Sequence, residues 1–102
     1  MEIEINSVEQ FQKEIASGRV LVDFYATWCG PCKMLAPYVQ KLAEAHPEVK
    51  VLKVDVDEVG ELAASYGVMS IPTLYYFEEG QIVRKTLGFM PEPQLLKFAG
   101  IE

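Results

Sequence analysis

Cys29 and Cys32 are the only thiols in the chain, and they stand three apart in the run Trp28-Cys29-Gly30-Pro31-Cys32-Lys33. At the start of a helix that spacing puts them about one turn apart, close enough to bridge. The loop such a bridge closes is so short that it restrains little of the unfolded chain's freedom. A disulfide here is poorly suited to stapling a fold and well suited to being made and broken. Near a helix N-terminus the Cys29 sulfur meets unpaired backbone N–H groups and the positive end of the helix dipole, and both favour thiolate over thiol. Pro31 fits the first turn, where its missing N–H costs nothing. Neither Gly30 nor Pro31 offers a charge or a hydrogen-bonding side chain to a thiolate. A His between the cysteines would stabilise the reduced form, and its absence favours a reductant over an oxidant.

Other uses of paired cysteines fit less well. A structural zinc site needs four ligands, and the only His is His46, at the far end of the helix. An iron–sulfur cluster fails on ligand count unless two chains share it. Covalent haem attachment wants a His directly after the second Cys, where Lys33 stands. An inert pair of buried thiols, or a purely structural bridge, remains as the bland reading.

The elements that must position these residues are legible from periodicity and punctuation. Val20 to Tyr25 is a short, nearly continuous apolar run, as expected of a strand covered on both faces, with Asp23 its only charge. A helix follows from about Cys29 or Pro31 to near Ala45, with Leu35, Tyr38, Val39 and Leu42 on one face and Pro37 expected to kink it. Upstream, Glu2 to Ile5 could form a short strand. Ser7-Val8-Glu9-Gln10 has the capping-box pattern, and Gly18 is a natural stop for the helix it opens. Downstream come a β-branched run from Val49 to Val56 and a short helix carrying Leu62, Ala63 and Tyr66, closed by Gly67. Thr73 to Phe77 and Ile82 to Leu87 read as a hairpin around Gly80, and Pro91 to Ala99 as a closing helix. The order β-α-β-α-β-α-β-β-α implies an α/β fold, a central mixed sheet flanked by helices.

Composition sets the limits. The chain has 102 residues, half of them apolar and 24% charged, which suits one globular domain spanning 1–102 and argues against disorder. A net charge of −6 disfavours nucleic acid and anionic membrane surfaces as partners. No stretch approaches the ~18 apolar residues of a membrane span. Met1-Glu2-Ile3-Glu4-Ile5 lacks the basic and apolar regions of a signal peptide, so a cytoplasmic location is expected unless the chain is a processed form.

The run Val22-Asp23-Phe24-Tyr25-Ala26-Thr27-Trp28-Cys29-Gly30-Pro31-Cys32-Lys33, continued by Met34-Leu35-Ala36-Pro37, closely resembles the active-site region of the thioredoxin family. Lys53, Gly67, Ile71-Pro72-Thr73, Gly80 and Gly88 match that family's pattern in order and spacing, so the resemblance covers essentially the whole chain. A lone pair of cysteines at this spacing is weak evidence; the same pair followed some forty residues on by Ile71-Pro72-Thr73 is strong. The resemblance implies the thioredoxin fold and a dithiol carrier that reduces protein disulfides. Cys29 would be the attacking thiolate and Cys32 the thiol that resolves the mixed disulfide. A buried thiol needs a base, and Asp23 would serve, with Lys53 beside it. On pattern alone Asp23 could also be a solvated strand end and Lys53 a surface lysine.

The resemblance further implies a cis bond at Ile71-Pro72, against the alternative of an ordinary trans turn. It suggests that the Ile71 backbone pairs with an extended substrate strand. Trp28, Gly30, Pro31, Pro72, Gly88 and Phe89 would complete a flat, mostly apolar docking surface, although Phe89 and Met90 could instead be core residues. Two positions depart from the pattern: Tyr25 stands where many relatives have Trp, and Thr27 where an acid is frequent. No bound cofactor is implied. Electrons would come from a thioredoxin reductase, NADPH-dependent by expectation with a ferredoxin-dependent enzyme left open, and would go to disulfide-containing substrate proteins. The carrier would act as a monomer. Two other readings are a binding module whose redox state is secondary, and a thiol oxidase or isomerase.

Overall fold

The computed structural model describes residues 1–102. In chain order the elements are β1 (Glu2–Glu4), α1 (Val8–Ile15), β2 (Arg19–Tyr25), α2 (Gly30–Ala45), β3 (Val49–Asp55), α3 (Gly60–Ser65), β4 (Thr73–Glu78), β5 (Gln81–Leu87) and α4 (Glu92–Phe98). The five strands form one sheet in the order β1-β3-β2-β4-β5. β1, β3 and β2 run parallel, and β4 and β5 are added antiparallel. This is the mixed sheet expected from the element order.

Alternation along the strands divides the core in two. Val20, Val22 and Phe24 of β2, Leu52 and Val54 of β3, and Tyr75 and Phe77 of β4 pack with Phe11 of α1 and Leu62 of α3. On the other face Leu21, Val51 and Leu74 pack with Leu35, Val39 and Leu42 of α2 and Leu95 of α4. Side chains two apart on a strand share a face, so Asp23 and Lys53 fall on the α2 side, level with one another in the β2–β3 register. A carboxylate is thereby set into the apolar layer directly under the cysteine-bearing helix.

Local signals are mostly realised, with two differences. Ser7 caps α1, its Oγ accepting from the Gln10 N–H at 3.1 Å. The Gln10 side chain, however, accepts from the N–H of Asn6 rather than that of Ser7, and donates to the Glu4 carbonyl. It ties α1 to the end of β1 instead of closing a reciprocal box. In the hairpin, Val83 is left as an extra residue on β5, because the register shifts between Tyr76 and Phe77.

The hairpin turns on Glu79 and Gly80, both at positive φ (49° and 82°), with Glu78 paired to Gln81. Two central residues of this kind define the turn whose twist matches that of the flanking strands. A Cβ on Gly80 would also stand 3.3 Å from the Ala16 carbonyl oxygen. Gly80→Ala is therefore expected to destabilise the fold by about 1–2 kcal/mol, chiefly through the left-handed backbone. Urea unfolding would read the loss as a lower midpoint at unchanged slope, and an unchanged midpoint would contradict it.

Candidate active site

Cys29 is the N-cap of α2, in extended conformation (φ −86°, ψ 117°), and Gly30 and Pro31 open the first turn. The Cys32 backbone N–H donates to Cys29 Sγ at 3.2 Å, so the sulfur occupies the place an N-cap oxygen normally takes. The first turn of α2 carries no acid, leaving no nearby negative charge there to oppose a thiolate. Cys29 and Cys32 are joined as a disulfide with their Cα atoms 5.2 Å apart. Released by reduction, Cys29 would keep a backbone donor and the helix dipole aimed at its sulfur. Motifs with this cysteine spacing, those of thioredoxins among them, are known for lowered thiol pKa on these grounds.

The sulfurs are less open than the sequence suggests. In this oxidised form Cys29 and Cys32 are each 5% exposed, packed with Ala26 and flanked by Tyr25, Val56 and Ile71. The Ile71–Pro72 bond is cis, and the Ile71 carbonyl oxygen lies 3.7 Å from Cys29 Sγ. Gly88, at φ 87°, donates its N–H to the Pro72 carbonyl at 2.8 Å, which holds the two loops together. Trp28 is 67% exposed. Phe89 is 38% exposed with its ring against Tyr38, whereas Met90 is buried in the core. The pair Phe89-Met90 thus splits, one residue on the surface and one inside.

Asp23 is 2% exposed, which excludes the solvated-end reading. Its Oδ2 lies 3.6 Å from Lys53 Nζ, and its Oδ1 has no partner at all. Burial pushes its carboxyl up to about 6, against the pull of the Lys53 charge. Lys53 is itself mostly buried, with its ammonium 4.4 Å from the centre of the Tyr25 ring. A cleft of about 210 Å³, lined by Tyr25, Ala26, Thr27, Cys32, Lys33, Ala36 and Lys53, opens beside the inner cysteine. Cys32 and the partner of Asp23 therefore share one small space. A carboxyl that titrates close to neutrality beside such a cleft can hold or take up a proton at physiological pH.

Two residues that contact the site, Asp57 and Glu4, and one exposed residue near it, Met69, escaped the sequence reading. Asp57 accepts from the Trp28 indole N–H at 2.8 Å. Glu4 accepts from the Tyr25 hydroxyl at 2.8 Å. Met69, two residues before Ile71, is almost fully exposed. Parallel pairing of β2 with β3 carries a signal for Asp57, since residues just past both strands share one edge of the sheet.

A redox-capable cysteine pair at the start of α2, a cis-proline loop beside it, and a β1-β3-β2-β4-β5 sheet define a thiol–disulfide oxidoreductase. The family model described as Thioredoxin matches residues 2–100. A thioredoxin of Staphylococcus aureus is 52% identical over 86 residues, 83% of either chain, and one of Chlamydia trachomatis is 46% identical over 95 residues, 93% of either chain. A solved structure of Plasmodium falciparum thioredoxin superposes with a TM-score of 0.89 at 32% identity, covering 96% of each chain. The chain belongs to the thioredoxin family, with the fold and the protein-disulfide reductase activity of that family. Members of the family work between a reductase and disulfide-bearing proteins. No helix is long and apolar enough to cross a membrane.

Proposed function

We propose that residues 1–102 act as one domain and a monomeric dithiol carrier in the cytoplasm, with Cys29 as nucleophile, Cys32 as resolving thiol, Asp23 as its base and Lys53 as the partner of Asp23. The Cys29 thiolate attacks one sulfur of a substrate disulfide, forming a mixed disulfide and expelling the other sulfur as a thiolate. Cys32 gives its proton to Asp23 and attacks Cys29 Sγ. The second substrate sulfur leaves reduced, and the Cys29–Cys32 bond takes up the oxidised state. Two electrons from an NADPH-dependent thioredoxin reductase, with two protons, restore both thiols; no cofactor is held by the chain itself.

The observation that carries this reading is the placement of Cys29 Sγ as the helix cap, accepting the Cys32 N–H. Trp28, Gly30, Pro31, Ile71, Pro72, Gly88 and Phe89 form the docking surface in this reading. The Ile71 N–H makes no backbone hydrogen bond within the chain, and so is free to pair with an extended substrate segment. The test is the equilibrium with glutathione. The Cys29–Cys32 couple is expected to be the more reducing of the two, because nothing between the cysteines stabilises a thiolate beyond the helix terminus itself. A couple clearly more oxidising than glutathione would overturn the reductase direction in favour of an oxidase or isomerase. Reduction by NADPH and a thioredoxin reductase, followed by loss of NADPH absorbance, tests the electron source in the same preparation.

A further inference from the structure

Glu4, Lys53 and Asp23 form one row across the sheet. Glu4 is in register with Lys53 between β1 and β3, and Lys53 with Asp23 between β3 and β2. A cation set between two carboxylates has two partners within its row, yet it pairs with only one. Lys53 Nζ reaches Asp23 Oδ2 at 3.6 Å, and no ion pair joins it to Glu4. Tyr25 touches both groups. Its hydroxyl donates to Glu4 Oε2 at 2.8 Å while its ring lies against the Lys53 ammonium, 4.4 Å from the centroid. Burial, and then the bond to Glu4, hold the Tyr25 hydroxyl well above its ordinary value, so it stays a donor wherever the site works.

We propose that Glu4 and Tyr25 are positioning residues for the resolving step: the Tyr25 hydroxyl keeps the Glu4 carboxylate occupied, and Lys53 is thereby left to Asp23. The role rests on the assignment of Asp23 as the base for Cys32. The other groups around Asp23 and its partner are Glu2 on β1, Asp55 on β3, and Cys32 and Lys33 of α2 on the shared cleft; β4 presents only Leu74 in register. None of these is hydrogen-bonded or ion-paired to Asp23; Glu2, whose Oε2 is buried without a partner, adds its own repulsion, and within the row the Glu4–Tyr25 hydrogen bond is the fixed contact beside Lys53.

The two halves of the device have opposite signs, which separates positioning from mere packing. Glu4→Gln removes both a repulsive charge and the rival for Lys53, so the Asp23 carboxyl should titrate lower. Tyr25→Phe keeps the ring but frees the Glu4 carboxylate to draw Lys53 away, so Asp23 should titrate higher. In the double variant the rival within the row is gone while Glu2 stays as in the parent protein, and Asp23 should again titrate lower.

The experiment follows the carboxyl carbon of Asp23 by NMR through a pH titration of the oxidised, full-length proteins. The midpoint is expected to move by about half a pH unit, down for Glu4→Gln and up for Tyr25→Phe. Both midpoints moving the same way, or neither moving, overturns the proposal. A parallel measurement, single-turnover release of substrate from the Cys29 mixed disulfide as a function of pH, should shift with the NMR midpoints. Midpoints that move as stated beneath an unmoved release profile would uphold the positioning and overturn instead the assignment of Asp23 as base.

Discussion

Replacing Cys29 by Ser is expected to bring the reduction of an accessible protein disulfide by dithiothreitol down to the uncatalysed background, a loss of at least about a hundredfold. The substitution is close to neutral for the fold, which makes the loss interpretable. Cys29 is the N-cap of α2 and its sulfur accepts the Cys32 N–H; a Ser hydroxyl is among the favoured groups for that place. What disappears is the thiolate, since a hydroxyl cannot ionise at neutral pH. Cys32 is not expected to take over the attack, because it lies one turn along the helix, lining the inner cleft with Lys53, and lacks the cap position at which Cys29 Sγ meets a backbone donor. Cys32→Ser is expected to behave differently. It keeps the nucleophile and loses only the resolving sulfur, so incubation with a disulfide substrate should leave a covalent mixed disulfide, detectable as a mass increase that dithiothreitol reverses. A Cys29→Ser protein that retains a tenth or more of the catalysed rate, or a Cys32→Ser protein that never forms the adduct, would remove Cys29 from the nucleophile's place.

The features that drive this chemistry are local, and local features were readable. Trp28-Cys29-Gly30-Pro31-Cys32 sits between a run of buried β-formers and a helical periodicity, and the structure places Cys29 at that junction. The hairpin around Gly80 and the closing helix carrying Leu95 were equally plain, because each is written in a turn residue or a repeat of apolar positions. The cis bond at Ile71-Pro72 came from resemblance rather than from the residues, which allow a trans turn as well. What stayed hidden depends on register. That β1 lies beside β3, bringing Glu4 level with Lys53, cannot be read from a three-residue strand. Gln10 reaching back to Asn6 and Glu4 requires the same knowledge. Burial of Cys29 in the oxidised form is likewise a matter of how the Ile71 and Tyr25 segments close over it, since α2 alone would leave a helix cap open to water.

Asp23→Asn is expected to stabilise the protein at neutral pH and to slow it, both from one cause. Asp23 titrates at about 6 in the folded chain against an ordinary 3.8, because burial disfavours its charge and Oδ1 has no partner. A raised carboxyl means that the folded state binds the proton more tightly than the unfolded state. Its contribution to stability is therefore fully present below pH 3.8 and is lost as pH rises through about 6. At 1.36 kcal/mol per pH unit, the loss amounts to about 3 kcal/mol once both states are ionised. Asn keeps the shape and polar character without the charge, so it escapes that loss. Leaving Lys53 without its carboxylate offsets some of the gain, and about 1–2 kcal/mol should remain above pH 7, roughly 5–15 °C in Tm for a domain of this size. Urea unfolding of both oxidised proteins at pH 4 and pH 8 isolates the effect, because every other carboxylate cancels in the difference between them. That difference should be small at pH 4 and should grow in favour of Asn by pH 8. Mixed-disulfide release at pH 7 should be slower in the same variant, which lacks the carboxylate proposed as the base for Cys32. A stability difference that is the same at both pH values would mean that Asp23 is not a buried charge in the folded protein, and the assignment of a proton to it during resolution would fall with it.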